Sequence, residues 1–196
     1  MRELEPIQRF SLWYRIAIAR CPGPWLDPSA MTLATSSKNG EVTARIVLLK
    51  SFGPDGFTFY TNYASRKGKQ VSENPRAALV FHWPYMQRQI RIEGSVEKID
   101  RKDSEKYFHS RPRSSQLAAA VSEQSSCIPS RRALIDRFKE LDQKLSGQEV
   151  PLPGTWGGYR LVPDVIEFWR HRENRLHDRL RYRKDAGEWK RERLAP

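Results

Sequence analysis

After Pro6 the apolar residues Ile7, Phe10, Trp13, Tyr14 and Ala17 recur at helical spacing, and Pro22-Gly23-Pro24 stops the run. The pattern predicts an opening helix. From Met31 to Ile99 the chain breaks into β-rich runs over Met31 to Thr35, Val42 to Phe52, Phe57 to Tyr63, Ala77 to Trp83 and Gln89 to Val96. Lys38-Asn39-Gly40 and Gly53-Pro54-Asp55-Gly56 between them suit hairpin turns. Helical spacing returns over Asp103 to Ser110, Ser114 to Val121 and Ser130 to Ser146. Leu134, Phe138, Leu141 and Leu145 form the buried stripe of the last helix, and Gly147 is its stop. The final runs are Trp156 to Val162, Val165 to Trp169 and Arg175 to Arg183, the last turning through Asp185-Ala186-Gly187 to Trp189. This order predicts an α+β fold, an antiparallel barrel or sheet with helices packed outside.

A length of 196 residues fits one domain over 1–196 that buries a core without disulfides or a structural metal. With 38% hydrophobic residues, six Trp, seven Tyr and eight Phe, the composition is that of a folded chain. Cys21 and Cys127 stand far apart without a Cys-x-x-Cys spacing, so no disulfide framework or zinc site is expected, and the default compartment is the cytoplasm. No apolar stretch approaches the roughly 18 residues of a membrane span, and Met1 to Glu5 lack a leader's apolar region.

Charge narrows the partners. Lys and Arg number 35 against 23 Asp and Glu, a formal net charge of +12, which favours an anionic partner or a solvated basic surface. In Arg45-Ile46-Val47-Leu48-Leu49-Lys50, period two gives two mostly apolar faces, which predicts a strand buried on both sides whose end cations need anionic partners. In Arg175-Leu176-His177-Asp178-Arg179 an extended chain would set Arg175, His177 and Arg179 on one face, as an exposed edge or a ligand site. Tyr107 and Arg111 lie one helical turn apart before Pro112, which suits either a capped helix junction or a phosphate site with Ser115. Ser65 is a candidate N-cap. Arg66 and Lys67 after it oppose the helix dipole unless an anion binds there.

Arg45-Ile-Val-Leu-Leu-Lys50, Phe59-Tyr-Thr-Asn62, Ser65-Arg-Lys67, Arg88-Gln89, Tyr107-Phe-His-Ser-Arg-Pro112, Gln124-Ser-Ser126, Trp156-Gly-Gly158, Glu167-Phe-Trp169, Arg175-Leu-His-Asp-Arg179 and Arg193-Leu-Ala-Pro196 occur in this order. In these motifs, from Pro6 to Pro196, the chain resembles the pyridoxine/pyridoxamine 5′-phosphate oxidase family. The resemblance implies an FMN-binding split β-barrel, a homodimer with two FMN sites between its subunits, and a C-terminal dimerisation and substrate region over about 150–196. It implies FMN contacts from Arg45, Ile46, Val47, Leu48, Tyr60, Thr61, Arg66, Lys67, Gln89, Gln124, Ser125, Trp169 and Arg179. Lys50, Tyr107, Arg111, Ser115, Arg175, Leu176 and His177 then fall to the substrate, with Arg175 and His177 at the reacting end.

The implied reaction oxidises pyridoxamine or pyridoxine 5′-phosphate to pyridoxal 5′-phosphate with O2 as acceptor, releasing H2O2, and ammonia from the amine. Two departures stand out. Only Met1 to Glu5 precede Pro6, so a basic lid from that region is expected to be missing, and Arg170-His171 replace the family's usual Gln-Gly. Rival readings are a phenazine-type oxidase of the same barrel and a flavin- or pyridoxal-phosphate-binding protein of low turnover. A nucleic-acid-binding module has no recognisable motif here, so no nucleic-acid or membrane partner is expected.

Overall fold

The computed structural model describes residues 4–196. Met1 to Glu3, most of the short segment ahead of Pro6 on which the expectation of a missing lid rests, lie outside the described residues. Helix α1 (Pro6–Ala19) precedes the strands β1 (Ala30–Ser36), β2 (Val42–Leu48), β3 (Ser51–Gly53) and β4 (Gly56–Asn62). Helix α2 (Arg66–Glu73) leads to β5 (Arg76–Trp83) and β6 (Arg88–Lys98). Three helices follow, α3 (Arg101–Ser110), α4 (Arg113–Val121) and α5 (Arg131–Lys144), and then β7 (Trp156–Arg170), β8 (Asp178–Asp185) and β9 (Glu188–Leu194). The class is α+β, as the sequence predicts.

The strands form one antiparallel sheet in the order β2-β1-β5-β6-β7-β4-β3, with β8 on β7 and β9 on β8. The long strand β7 organises it. One edge of β7 pairs with β6 along most of its length, while the other is shared, β4 taking Trp156 to Leu161 and β8 taking Val165 to Arg170. That shared edge splits the barrel. The sheet curls around a core closed by α1, whose Phe10 ring meets Phe52, Phe57 and Phe81 edge-on at 4.8, 4.8 and 5.2 Å. A second cluster, Phe108, Leu117, Val150 and Trp156, seats α3, α4 and α5 on the sheet.

Five expectations are corrected. The run Val42 to Phe52 breaks at Leu49-Lys50 into β2 and β3. Strand β2 is not buried on both faces: it ends the sheet order, and Val42 and Ile46 are 71% and 62% exposed. Trp156 to Trp169 is one strand, because Pro163 sits opposite Gly94 at a bulge, where a missing N–H is tolerated. Arg175 to Arg179 is not one extended face. Asn174 and Arg175 have φ of 54° and 59°, in a 3-10 turn over Glu173–Arg175, and β8 begins only at Asp178. The stripe of α5 packs on the second cluster through Phe138, Leu141 and Leu145 but stays half-buried.

Candidate active site

Strands β2 and β4 and the α3–α4 junction enclose a cavity of about 690 Å³. It gathers most of the residues that the resemblance implies. Arg45, Ile46, Val47 and Leu48 line it from β2, Tyr60 and Thr61 from β4, and Lys67 from α2. Lys50, Tyr107, Arg111, Ser115 and Gln124 complete the set.

One end of the cavity is cationic. Ser65, wholly buried, caps α2 by accepting from the Gly68 N–H at 3.3 Å. Gly68 lets α2 press on the preceding turn, since a Cβ there would stand 2.2 Å from the Tyr63 carbonyl oxygen. This contact seats Lys67 beneath the cavity. Its ammonium donates to Thr61 Oγ1 at 3.1 Å, Ser65 Oγ at 3.2 Å and Gln124 Oε1 at 2.8 Å. None of these acceptors is charged. Burial, with Arg45 nearby, pushes the Lys67 ammonium down to about 8. Arg45 likewise donates only to neutral oxygens, the Leu33 carbonyl at 3.0 Å, Thr35 Oγ1 at 2.7 Å and Thr43 Oγ1, and its pKa is lowered by burial and then by Arg66. Two cations without a paired carboxylate among the described residues, at one end of a cavity, fit an anionic group.

The other end is aromatic. Tyr60 stacks on Tyr107 with centroids 4.0 Å apart and on Trp156 at 5.3 Å. Burial, followed by Tyr107, pushes the Tyr60 phenol up to about 12, so it remains a donor across the physiological range. The Arg111 guanidinium lies over Trp156 at 5.0 Å and Phe108 at 5.9 Å. Its Nη1 is buried without an acceptor, and burial lowers its pKa. Gln116 Nε2 donates to the Arg111 carbonyl at 2.8 Å, fixing the backbone where α3 ends and Pro112 begins α4.

Arg66 and Ser125 stand outside this lining. Arg66 occupies the first turn of α2, 3.7 Å from Glu41, and Ser125 has φ of 76°. The remaining expected residues form a separate group. Gln89, Trp169 and Arg179 are register partners on β6, β7 and β8. Arg179 donates to both oxygens of buried Glu167, at 2.7 and 3.2 Å, and to the Ala195 carbonyl at 3.0 Å. This pairing raises its pKa. The His177 ring lies 4.7 Å from Trp169, and its Nδ1 accepts from the Arg172 N–H at 3.2 Å. That bond leaves the ring proton on Nε2 in the neutral form, where it can be donated. Arg175 and Leu176 are exposed, Leu176 by 68%. Trp169 stands 12 residues beyond Gly157, the partner of Thr61, which is about 40 Å of strand path. One protomer therefore carries the two halves of the expected site at opposite ends of β7.

Sequence reasoning left Trp156, Asn62 and Ser122 out of the site, although all three line the cavity. The available signal was Trp156-Gly157-Gly158. A Cβ on Gly157 would come 2.2 Å from the Tyr63 hydroxyl, and one on Gly158 would come 2.5 Å from Ile99 Cδ1.

Residues 24–145 match the family described as pyridoxamine 5′-phosphate oxidase, and 156–196 match the pyridoxine 5′-phosphate oxidase C-terminal dimerisation region. The chain belongs to the pyridoxamine 5′-phosphate oxidase family. A relative from Cyanothece sp., named pyridoxine/pyridoxamine 5′-phosphate oxidase, is 51% identical over 97% of this chain and 88% of its own. The pyridoxine-5′-phosphate oxidase of Bos taurus is 50% identical over 94% of this chain and 70% of its own. Among solved structures, PhzG from Burkholderia lata 383, in complex with tetrahydrophenazine-1-carboxylic acid, superposes with a TM-score of 0.91 at 32% identity. That match covers 98% of this chain and 93% of PhzG. No helix among the described residues of this oxidase-family chain is long and apolar enough to cross a membrane.

Proposed function

We propose that this chain works as a homodimer that binds FMN between its subunits. It oxidises pyridoxamine 5′-phosphate and pyridoxine 5′-phosphate to pyridoxal 5′-phosphate with O2, releasing H2O2, and ammonia from the amine. The observation that carries this reading is the pairing, in one cavity, of two anion-ready ends, Lys67 with Arg45 and Arg111 with its unbonded Nη1. A phosphorylated cofactor and a phosphorylated substrate require two such ends.

Bound FMN supplies the two-electron acceptor at the substrate's 4′ carbon. Arg45, Thr61, Lys67 and Gln124 would hold it, and the bond from Lys67 to Gln124 ties the segment after α4 to this end of the cavity. Lys50, Tyr107, Arg111 and Ser115 clamp the substrate phosphate. Orientation of this kind contributes several kcal/mol, roughly, to a transfer step. The partner subunit's Trp169, Arg175, Leu176, His177 and Arg179 complete the site, a division that the length of β7 and the exposed apolar face of β2 support. Arg175 orients the ring and stabilises developing charge, while His177 donates from Nε2 to the substrate.

PhzG supports a second reading, oxidation of a reduced phenazine carboxylic acid, because its likeness extends over nearly the whole chain. The phosphate clamp favours the vitamin. The test is to purify the protein, identify the released cofactor by mass spectrometry, and follow peroxide with each phosphate ester and with a dihydrophenazine carboxylic acid. FMN and ester-dependent peroxide are expected. FAD as the main species, or turnover of the phenazine alone, would overturn the reading. A compartment within the cytoplasm accords with two unpaired cysteines, Cys21 and Cys127.

A further inference from the structure

At the barrel rim, Arg20, Arg88, Arg170, His171 and Arg172 surround a second cavity of about 520 Å³. Strand periodicity sets it apart from the proposed flavin contacts. Arg88 and Arg170 share the side of β6 and β7 that carries buried Ile90, Ile92, Ile166 and Phe168, whereas Gln89 and Trp169 project from the other side. This cavity therefore belongs to the core side of the sheet.

Arg88 and Arg170 are direct register partners, so two guanidinium side chains leave adjacent strands opposite each other. Like charges in that position destabilise a sheet unless a counter-charge joins them. Arg172 has one: it donates to Asp178 at 2.7 Å. Arg20, Arg88 and Arg170 form no ion pair among the described residues, and Glu173, the one carboxylate on the wall, makes none with them. Arg88 lies 4.5 Å from the Trp13 ring centroid, and its Nη1 is buried without an acceptor among the described residues. A buried N–H left unbonded costs about 1–3 kcal/mol, more when charged. Burial, then Arg170, then Arg20 lower the Arg88 pKa, as expected for crowded cations without an anion. The wall is tied in place by the His171 N–H, which donates to the Gln87 carbonyl at 3.0 Å.

We propose that this cavity is a binding site for a small phosphate-bearing anion, held between Arg88 and Arg170 with Arg20 beside them, separate from the reaction site. Its volume admits a phosphate monoester as well as inorganic phosphate. The site stands on this chain's own geometry and does not depend on the proposed reaction.

The test uses the flavin-loaded protein carrying Arg111→Ala, which weakens phosphate binding at the proposed substrate clamp. Calorimetry and thermal unfolding are run with inorganic phosphate and with glycerol 3-phosphate, against sodium chloride at matched ionic strength. Saturable binding near one anion per chain is expected, with a rise in Tm that chloride does not reproduce. Adding the exposed Arg170→Gln should raise Tm without phosphate, by relieving repulsion, and weaken phosphate binding about tenfold or more. Tighter binding of glycerol 3-phosphate identifies a monoester site, and tighter binding of inorganic phosphate a site for the free ion. An unchanged phosphate response after Arg170→Gln, or an equal response to chloride, overturns the proposal.

Discussion

Lys67 donates to Gln124 Oε1 at 2.8 Å, joining the first turn of α2 to a segment 57 residues away, beyond α4. The ammonium is buried with neutral oxygens only, and its pKa falls from 10.5 to about 8 through burial and Arg45. Between those values the unfolded chain holds more protons than the folded apoprotein. This group therefore makes the apoprotein more stable as pH rises from about 8 to 10.5. A bound anion favours the charged form, so cofactor affinity should change in the opposite sense, falling by up to about tenfold per pH unit above that value. Flavin fluorescence titrations from pH 7 to 10 should show this fall, and Lys67→Met should bind about 10–100-fold more weakly with a flat profile. An equally steep profile in Lys67→Met would remove Lys67 from the anion site.

Gly68 should be as sensitive as a lining residue although it stands outside the cavity lining. A Cβ would meet the backbone oxygen of Tyr63 at 2.2 Å, which cannot rotate away. Gly68→Ala is expected to cost about 1–3 kcal/mol in denaturant unfolding, and to weaken cofactor binding by lifting Lys67 from Thr61 and Gln124. Normal stability and normal affinity together would show that α2 adjusts without cost.

The exposed apolar residues of β2 give the dimer prediction. Val42 and Ile46 are 71% and 62% exposed on a strand that lines the candidate site through Arg45 to Leu48, with Val42 outside the lining. Val42→Asp, outside that lining, should shift the protein toward monomer in sedimentation experiments and lower flavin occupancy with it. A stable, flavin-loaded dimer of that variant would place the interface elsewhere.

The same strand shows what the sequence could tell. The apolar run within Arg45 to Lys50 marks a strand, but it overruns the end of β2 at Leu48 and suggests burial on both faces. Hydrophobic pattern records that a surface is covered and not whether the same chain covers it. Turns with strong local chemistry were legible: Gly40 at φ 84°, and Ala186 and Gly187 at φ 49° and 89°, fall where expected. Pro163 was read as a strand break because its partner Gly94, with the bulge that accommodates it, lies 69 positions earlier. The Arg111 site was legible as a helix junction. Its stack on Trp156 was not, since that contact depends on tertiary packing across 45 residues.

Arg111→Ala should leave flavin content unchanged and weaken substrate binding about 10–100-fold, because it removes one charge-assisted phosphate contact. Stopped-flow reduction over a range of pyridoxamine 5′-phosphate concentrations separates affinity from limiting rate. A slower limiting rate at unchanged affinity would assign Arg111 to the chemical step.

Arg175 offers a sharper separation of fold from function. Its φ of 59° is in the left-handed region, where a residue other than glycine costs about 1 kcal/mol or more, and its side chain is exposed with no ion pair among the described residues. Arg175→Gly should therefore be as stable as the parent or up to about 1 kcal/mol more stable in urea, whereas Arg175→Ala keeps the strained backbone and gains nothing. Both should slow the limiting rate of flavin reduction, by about tenfold or more, if the guanidinium stabilises charge at the reacting carbon. Loss of stability in Arg175→Gly would mean that the side chain serves the turn. A parent-like reduction rate in both variants would remove Arg175 from the reacting end.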